Sequence, residues 1–237
     1  PNGKQDIGLV RLGNMRIISD IQKNIIERNN IDSVQYDSNF VFDKSIYADE
    51  VFTQIKTDVL SVLPKPPLNS STITQSEILE ISRKTLNRTP EQIKMVRLVD
   101  KNPLLWLSPT LERLRIKFTV NMLENLYYPN ISKLVSTLKY FYNRARPIQL
   151  ADYYDVDIKL IYTKTHHTPA YPSGHTMYAA LGSEMLKDLY PQYTDIFDNW
   201  VTDVGEARVI QGVHFPSDNK AAVQIIKNIY PYIKEND

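Results

Sequence analysis

AYPSGHTMYAALGSEML, residues 170–186, decides the fold, because a proline-bounded loop turns there into an apolar-periodic segment. Ser173, Gly174 and His175 stand side by side at the turn, in a chain with only seven glycines and four histidines. The spacing predicts a helix over 174–190. A Ser-Gly start leaves backbone amides and the positive end of the helix dipole facing outward, which suits an anion. The same start serves equally well as a plain cap, so the neighbouring segments must decide.

Working outward, the dominant period is helical. Ile17, Ile18, Ile21, Ile25 and Ile26 share one face, and Val51, Phe52, Ile55, Val59, Leu60 and Leu63 repeat the pattern before Pro64. PKPPLNSS, residues 64–71, reads as a connector. Thr74 with Glu77, Thr89 with Pro90 and Gln92, and Ser108 with Pro109 offer cap chemistry. Helices are expected near 75–87, 90–100, 109–126, 131–146, 174–190, 193–210 and 218–235. VDIKLIY, residues 156–162, is the one alternating β-branched run, and no hairpin signal accompanies it. The expectation is an all-α, single-domain helical bundle over residues 1–237.

Composition narrows the function classes. Twenty-eight Lys and Arg against 27 Asp and Glu give a net charge of +1, so no global basic field points to nucleic acid. Any anion site must be local. No run of about 18 to 20 apolar residues suits a membrane helix, so no integral membrane segment is expected. The absence of cysteine removes disulfides, zinc-thiolate sites and thiol nucleophiles. The sequence opens at Pro1 without a charged and then apolar leader, so a leader cleaved or outside the given sequence is expected and the compartment stays open.

Two further segments carry chemistry. In LKYFYNRARP, Lys139 and Arg146 are seven residues apart, near two turns, so both can leave one face of a helix that Pro147 ends. Arg144 reads as part of a solvated basic face. In EARVIQGVHFPSDN, Arg208 precedes His214 by six and Asp218 follows by four. Gly212 and Pro216 break the helix between them, which lets His214 turn back towards Arg208 and pair with Asp218, a carboxylate that can fix the imidazole tautomer.

Together, Lys139-x6-Arg146-Pro147, Pro172-Ser173-Gly174-His175 and Arg208-x5-His214-x3-Asp218 resemble the three-part signature of the type 2 phosphatidic acid phosphatase superfamily. That group includes class A acid phosphatases, lipid phosphatases and vanadium haloperoxidases. The likeness spans residues 139–218, and YPSGHT and GEARVIQGVHFPSD look most like the class A acid phosphatases. Residues 1–130 match no subfamily beyond their helical character. Ala207 departs from the pattern, which usually has Ser before the third-block arginine.

The resemblance implies a metal-independent phosphomonoesterase without cofactor, acting on small phosphate esters through a phosphohistidine. His214 would be the nucleophile, Asp218 its orienter and His175 the acid and then the base. Lys139, Arg146, Arg208, Ser173 and the Gly174 amide would cradle the phosphoryl oxygens, as phosphoryl transfer requires of its surroundings. Soluble esters such as nucleotides or sugar phosphates, a periplasmic or secreted location, and a homo-oligomer are compatible with it. A vanadium haloperoxidase with vanadate on His214, a lipid phosphatase, and a binding relic without turnover are the alternatives. His166 and His167 are expected as exposed loop residues, with a place at the pocket mouth as the alternative, rather than as metal ligands; Tyr171 is expected in the core or an interface, with the border of the leaving-group pocket as the alternative.

Overall fold

The computed structural model describes residues 30–41, 63–127 and 131–235, so the apolar faces at Ile17–Ile26 and Val51–Leu60 lie outside the described residues. Among the described residues nine α-helices follow in order: α1 (Thr72–Leu86), α2 (Pro90–Lys101), α3 (Leu104–Arg113), α4 (Val120–Tyr127), α5 (Lys133–Tyr142), α6 (Pro147–Leu150), α7 (Gly174–Leu189), α8 (Thr194–Gln211) and α9 (Pro216–Glu235). The described residues contain no strand, only an isolated bridge between Gln35 and Arg144. The all-α expectation holds.

Helix α7 is the centre of the bundle. It carries Met177, Tyr178, Ala179, Ala180, Leu181 and Leu186 into the core, and a helix buried on nearly every side must lie between others, here α8 and α9. Gly182 sets its approach to α8. A Cβ there would lie 2.9 Å from the Trp200 ring and 3.0 Å from Leu123, so only glycine allows the contact. Trp200 is buried, and its indole N–H donates to the Pro103 carbonyl at 3.0 Å, so its one polar atom is satisfied. Burying a large apolar side chain of this kind stabilises by roughly 1.5–3 kcal/mol.

The caps show where local chemistry decided the ends. Thr89 and Gln92 form the expected capping box of α2, with bonds of 3.2 and 2.9 Å. The cap expected at Thr74 sits three residues earlier, where Ser71 Oγ accepts from the Thr74 amide. Glu77 is thereby free to bond elsewhere. The helix expected over 109–126 is two helices. Asn102 Oδ1 accepts from the Leu104 amide and starts α3 early, which places Pro109 inside it, and Ser108 donates to the Leu104 carbonyl instead of capping. Arg115, at φ 57°, then turns the chain before α4.

The helix expected over 131–146 also stops short. Asn143 adopts a left-handed conformation (φ 45°), its N–H returns to the Lys139 carbonyl, and Tyr36 and Asp37 bond to it from residues 30–41. Arg144 to Arg146 therefore leave α5, and Arg146 starts α6. The 156–162 run is neither helix nor strand and pairs with no strand among the described residues. Its backbone is held by Ser82, Thr85 and Arg88, and Ile161 donates to the Gln211 carbonyl. Ile158 joins a second, small core with Ile78, Ile81, Leu150 and Phe215. A β-type pattern without a partner strand found a helix surface to cover.

Candidate active site

Lys139 belongs to the last turn of α5, yet its ammonium is buried and donates to the Pro169 carbonyl at 2.6 Å. Burial, with Arg146 and Arg208 nearby, holds that group well below an ordinary lysine. Arg146 comes from the break after α5, not from the same helical face as expected. Its Nε donates to the Thr168 carbonyl at 2.9 Å and its Nη1 to the Val213 carbonyl at 2.6 Å. The cations converge because Asn143 turned the chain.

His214 follows α8, where Gly212 at φ 89° ends the helix and bends the chain back. Its Nδ1 lies 3.1 Å from Asp218 Oδ2 and its Nε2 lies 3.0 Å from Arg146 Nη1. A guanidinium can only donate, so Nε2 must be the bare nitrogen and Nδ1 must carry the proton to Asp218. The neighbours thus assign one tautomer. Burial first, then Arg146, Lys139 and Arg208, depress the basicity of His214 strongly, which keeps the ring neutral.

Arg208 is fully buried on α8. Its Nη1 donates to Asp100 Oδ1 at 2.6 Å and its Nη2 to Thr165 Oγ1 at 3.1 Å, while its Nε has no partner. An orphaned buried N–H is costly, and an oxyanion on the Nε side would satisfy it. Asp100 itself is pushed up by burial, but hydrogen bonds from Thr165 and Arg208 overcome that and hold it at about 2.

His175, on the first turn of α7, lies 3.2 Å from the Asp100 carbonyl through Nε2. A carbonyl only accepts, so Nε2 carries the proton in this state. Burial, with Arg208 adding to it, holds the imidazole down at about 3. Ser173 precedes α7 as expected, but its hydroxyl is buried against Thr176 Oγ1 at 2.9 Å and its amide donates to the Asp218 carbonyl at 3.2 Å.

Lys139, Gly174, His175 and His214 line one cavity of about 320 Å³, with Asp100 and Thr165 beside them. Arg146 touches His214 and Arg208 touches Asp100 at its inner side, and Asp218 lies buried behind His214. The three separated blocks meet. Residues 125–225 match the family model described as the PAP2 superfamily. This segment is similar to the PAP2 superfamily. No curated protein matches the chain. Among solved structures it is similar to a transmembrane PAP2-type phosphatidylglycerolphosphate phosphatase from Bacillus subtilis, at 22% identity and a TM-score of 0.49, over 71% of this chain and 88% of that one.

Several residues around the site have no signal in the sequence. Arg144, expected on a solvated face, is only 4% exposed and pairs with Asp218 at 2.5 Å. The helix expected to run through it ended at Tyr142, so the face it was assigned to does not exist. Glu77 and Asp100 come from α1 and α2, before residue 125, and no spacing ties them to the three blocks. Tyr171 is buried, as a core tyrosine is expected to be, and does not border the site cavity. Its hydroxyl donates to the Pro64 carbonyl, and it lines a separate cavity of about 850 Å³ with Glu77 and Ser217. Ala207, where a serine hydroxyl was missed, is fully buried in the main core, so the methyl suits its surroundings. His167 is exposed, and His166, half-buried, stacks on it at 4.7 Å. Among the described residues no helix is long and apolar enough to cross a membrane.

Proposed function

We propose that this chain is a phosphatase of the PAP2 type that hydrolyses phosphate monoesters through a phosphohistidine on His214. The observation that carries the reading is the fixed tautomer of His214. Asp218 holds Nδ1–H, and the bare Nε2 belongs to a ring that lines the cavity. The Nε2 lone pair attacks phosphorus while the bond to the leaving oxygen breaks. Arg146 Nη1, now bonded to Nε2, must pass to a phosphoryl oxygen as the new bond forms. Lys139 and Arg208 take the other oxygens, and the unpaired Nε of Arg208 is suited to one of them.

His175 donates its proton to the departing oxygen. In the second step it takes a proton from water, whose oxygen bonds to phosphorus as the N–P bond breaks, releasing inorganic phosphate and restoring His214. With the site empty, His175 is neutral in mild acid; a phosphate dianion beside it offsets the surrounding cations and restores its proton. The depressed basicity of His214 keeps the nucleophile free at acid pH, which favours an acid phosphatase. The cavity wall also carries Lys101, Asn102 and Glu124, which suits polar leaving groups such as nucleosides or sugars.

Rapid-quench labelling with a phosphorus-32 ester tests the scheme. We expect acid-labile label on the wild-type protein and none on His214→Ala. Label on His214→Ala would remove His214 from its role. Activity lost to a chelator and restored by a divalent ion would replace the scheme by a metal phosphatase.

A further inference from the structure

The group behind His214 extends further than its carboxylate. Asp218 Oδ2 accepts from His214 Nδ1 at 3.1 Å and from the Phe215 amide at 2.9 Å, and Oδ1 accepts from Arg144 Nη1 at 2.5 Å. The same Nη1 lies 2.8 Å from Ser217 Oγ. Ser217 in turn donates its amide to Glu77 Oε1 and its hydroxyl to Glu77 Oε2, both at 2.7 Å. Glu77 also lies 3.8 Å from Arg144 Nη2, and the Arg144 guanidinium sits 4.1 Å above the Phe215 ring. One α1 carboxylate thus holds both the start of α9, which bears Asp218, and the arginine that grips Asp218.

We propose that Glu77 and Arg144 are positioning residues that lock Asp218 in the orientation which keeps the His214 proton on Nδ1 and its Nε2 bare. Neither lines the cavity that holds His214, and Glu77 faces the separate 850 Å³ cavity. Stability alone does not explain the cluster. Nε and Nη2 of Arg144 are buried without a hydrogen-bond partner, and a buried ion cluster is often no more stabilising than apolar packing of the same volume. The geometry does explain it. Two carboxylates that close would repel, and Arg144 between Glu77 and Asp218 leaves a single net negative charge with both oxygens of Asp218 engaged. The bond of Arg146 to His214 Nε2 weakens once phosphate draws Arg146 away, and from then on Asp218 alone holds the tautomer.

This inference deepens the proposed phosphohistidine reading and rests on it, so its test has one arm that needs no turnover. The full chain with nitrogen-15 histidine is studied by NMR in the presence of saturating inorganic phosphate. Wild type should show the Nδ1–H tautomer at His214, and the isosteric Glu77→Gln should show a mixture with the Nε2–H form. Single-turnover phosphoenzyme formation should fall about 10-fold in Glu77→Gln, in the range seen when outer partners of a site residue are removed, with KM changed less than twofold. Arg144→Met should lose more, and Arg144→Lys should recover part of it by restoring the charge without the fork. An unaltered His214 spectrum in folded Glu77→Gln, at the wild-type single-turnover rate, would overturn the proposal. If wild type itself forms no phosphoenzyme, the reading of the function fails, while the tautomer comparison still decides the clamp.

Discussion

The site is assembled from two regions that differ in how they hold charge. The segment from Lys139 to Asp218 supplies the groups that would touch phosphate: three cations, two histidines and the start of α7. Helices α1 and α2 supply one carboxylate each, and the two approach from different sides. Asp100 takes Arg208 by Nη1 from within the cavity wall, leaving Nε unpaired, whereas Glu77 works from outside the cavity through Ser217 and Arg144. The difference teaches that cations placed close enough to bind one phosphate need counter-charges behind them. Those counter-charges come from helices with no chemistry of their own.

The comparison is put under most strain by removing a group from the first region. His175→Ala should slow alkyl phosphates by about 100 to 10,000-fold, the usual worth of a general acid. Nitrophenyl phosphate should keep most of its first-step rate, because its departing anion needs no proton. Phosphoenzyme should then accumulate, since the base for water is gone too. Equal losses for both esters in single-turnover kinetics would mean that His175 serves the phosphate and not the leaving group.

The second region should behave otherwise. Asp100→Asn keeps the shape and the backbone carbonyl that faces His175, but removes the charge paired with Arg208. A hydrogen bond to a charged group is worth about 1.5–3 kcal/mol, so kcat/KM should drop about 10- to 100-fold. The drop should be the same for alkyl and nitrophenyl esters, because only the phosphate half of the site is disturbed. A leaving-group dependence like that of His175→Ala would erase the distinction between the regions.

How much of this was legible follows the same division. Lys139, Arg146, His175, Arg208, His214 and Asp218 could be found because each sits at a fixed offset from a proline, a glycine or another charged residue in its own block. The capping box at Thr89 and Gln92 was legible for the same reason: the partners are three residues apart. Glu77 bonds Ser217 across 140 positions, and Asp100 pairs with Arg208 across 108, so no local pattern could announce them. Arg144 was misread for a different reason. The left-handed turn at Asn143 depends on Tyr36 and Asp37, which pair with it from far upstream, and helical periodicity is blind to such partners.

The smallest expected effect concerns pH, and it sharpens the comparison at the point where the regions meet. His175 lies against the Asp100 carbonyl, and its proton affinity in the empty site sits at about 3, against about 6.5 in an unfolded chain. Between those values the unfolded chain binds more protons than the folded one, so acid favours unfolding. The stability tied to a neutral His175 is therefore fully present above about 6.5 and is lost progressively as pH falls towards 3. Asp100, held at about 2, contributes its share down to lower pH and so does not mask the trend. Melting temperatures of the phosphate-free protein should fall from pH 6.5 to pH 4, and the fall should be shallower in His175→Ala, with His214 supplying what remains. Saturating phosphate should flatten the wild-type curve further, because a dianion among the cations lets His175 keep its proton in the folded state. A curve of the same steepness in wild type and His175→Ala, with or without phosphate, would show that burial among the cations of the first region does not govern the proton of His175.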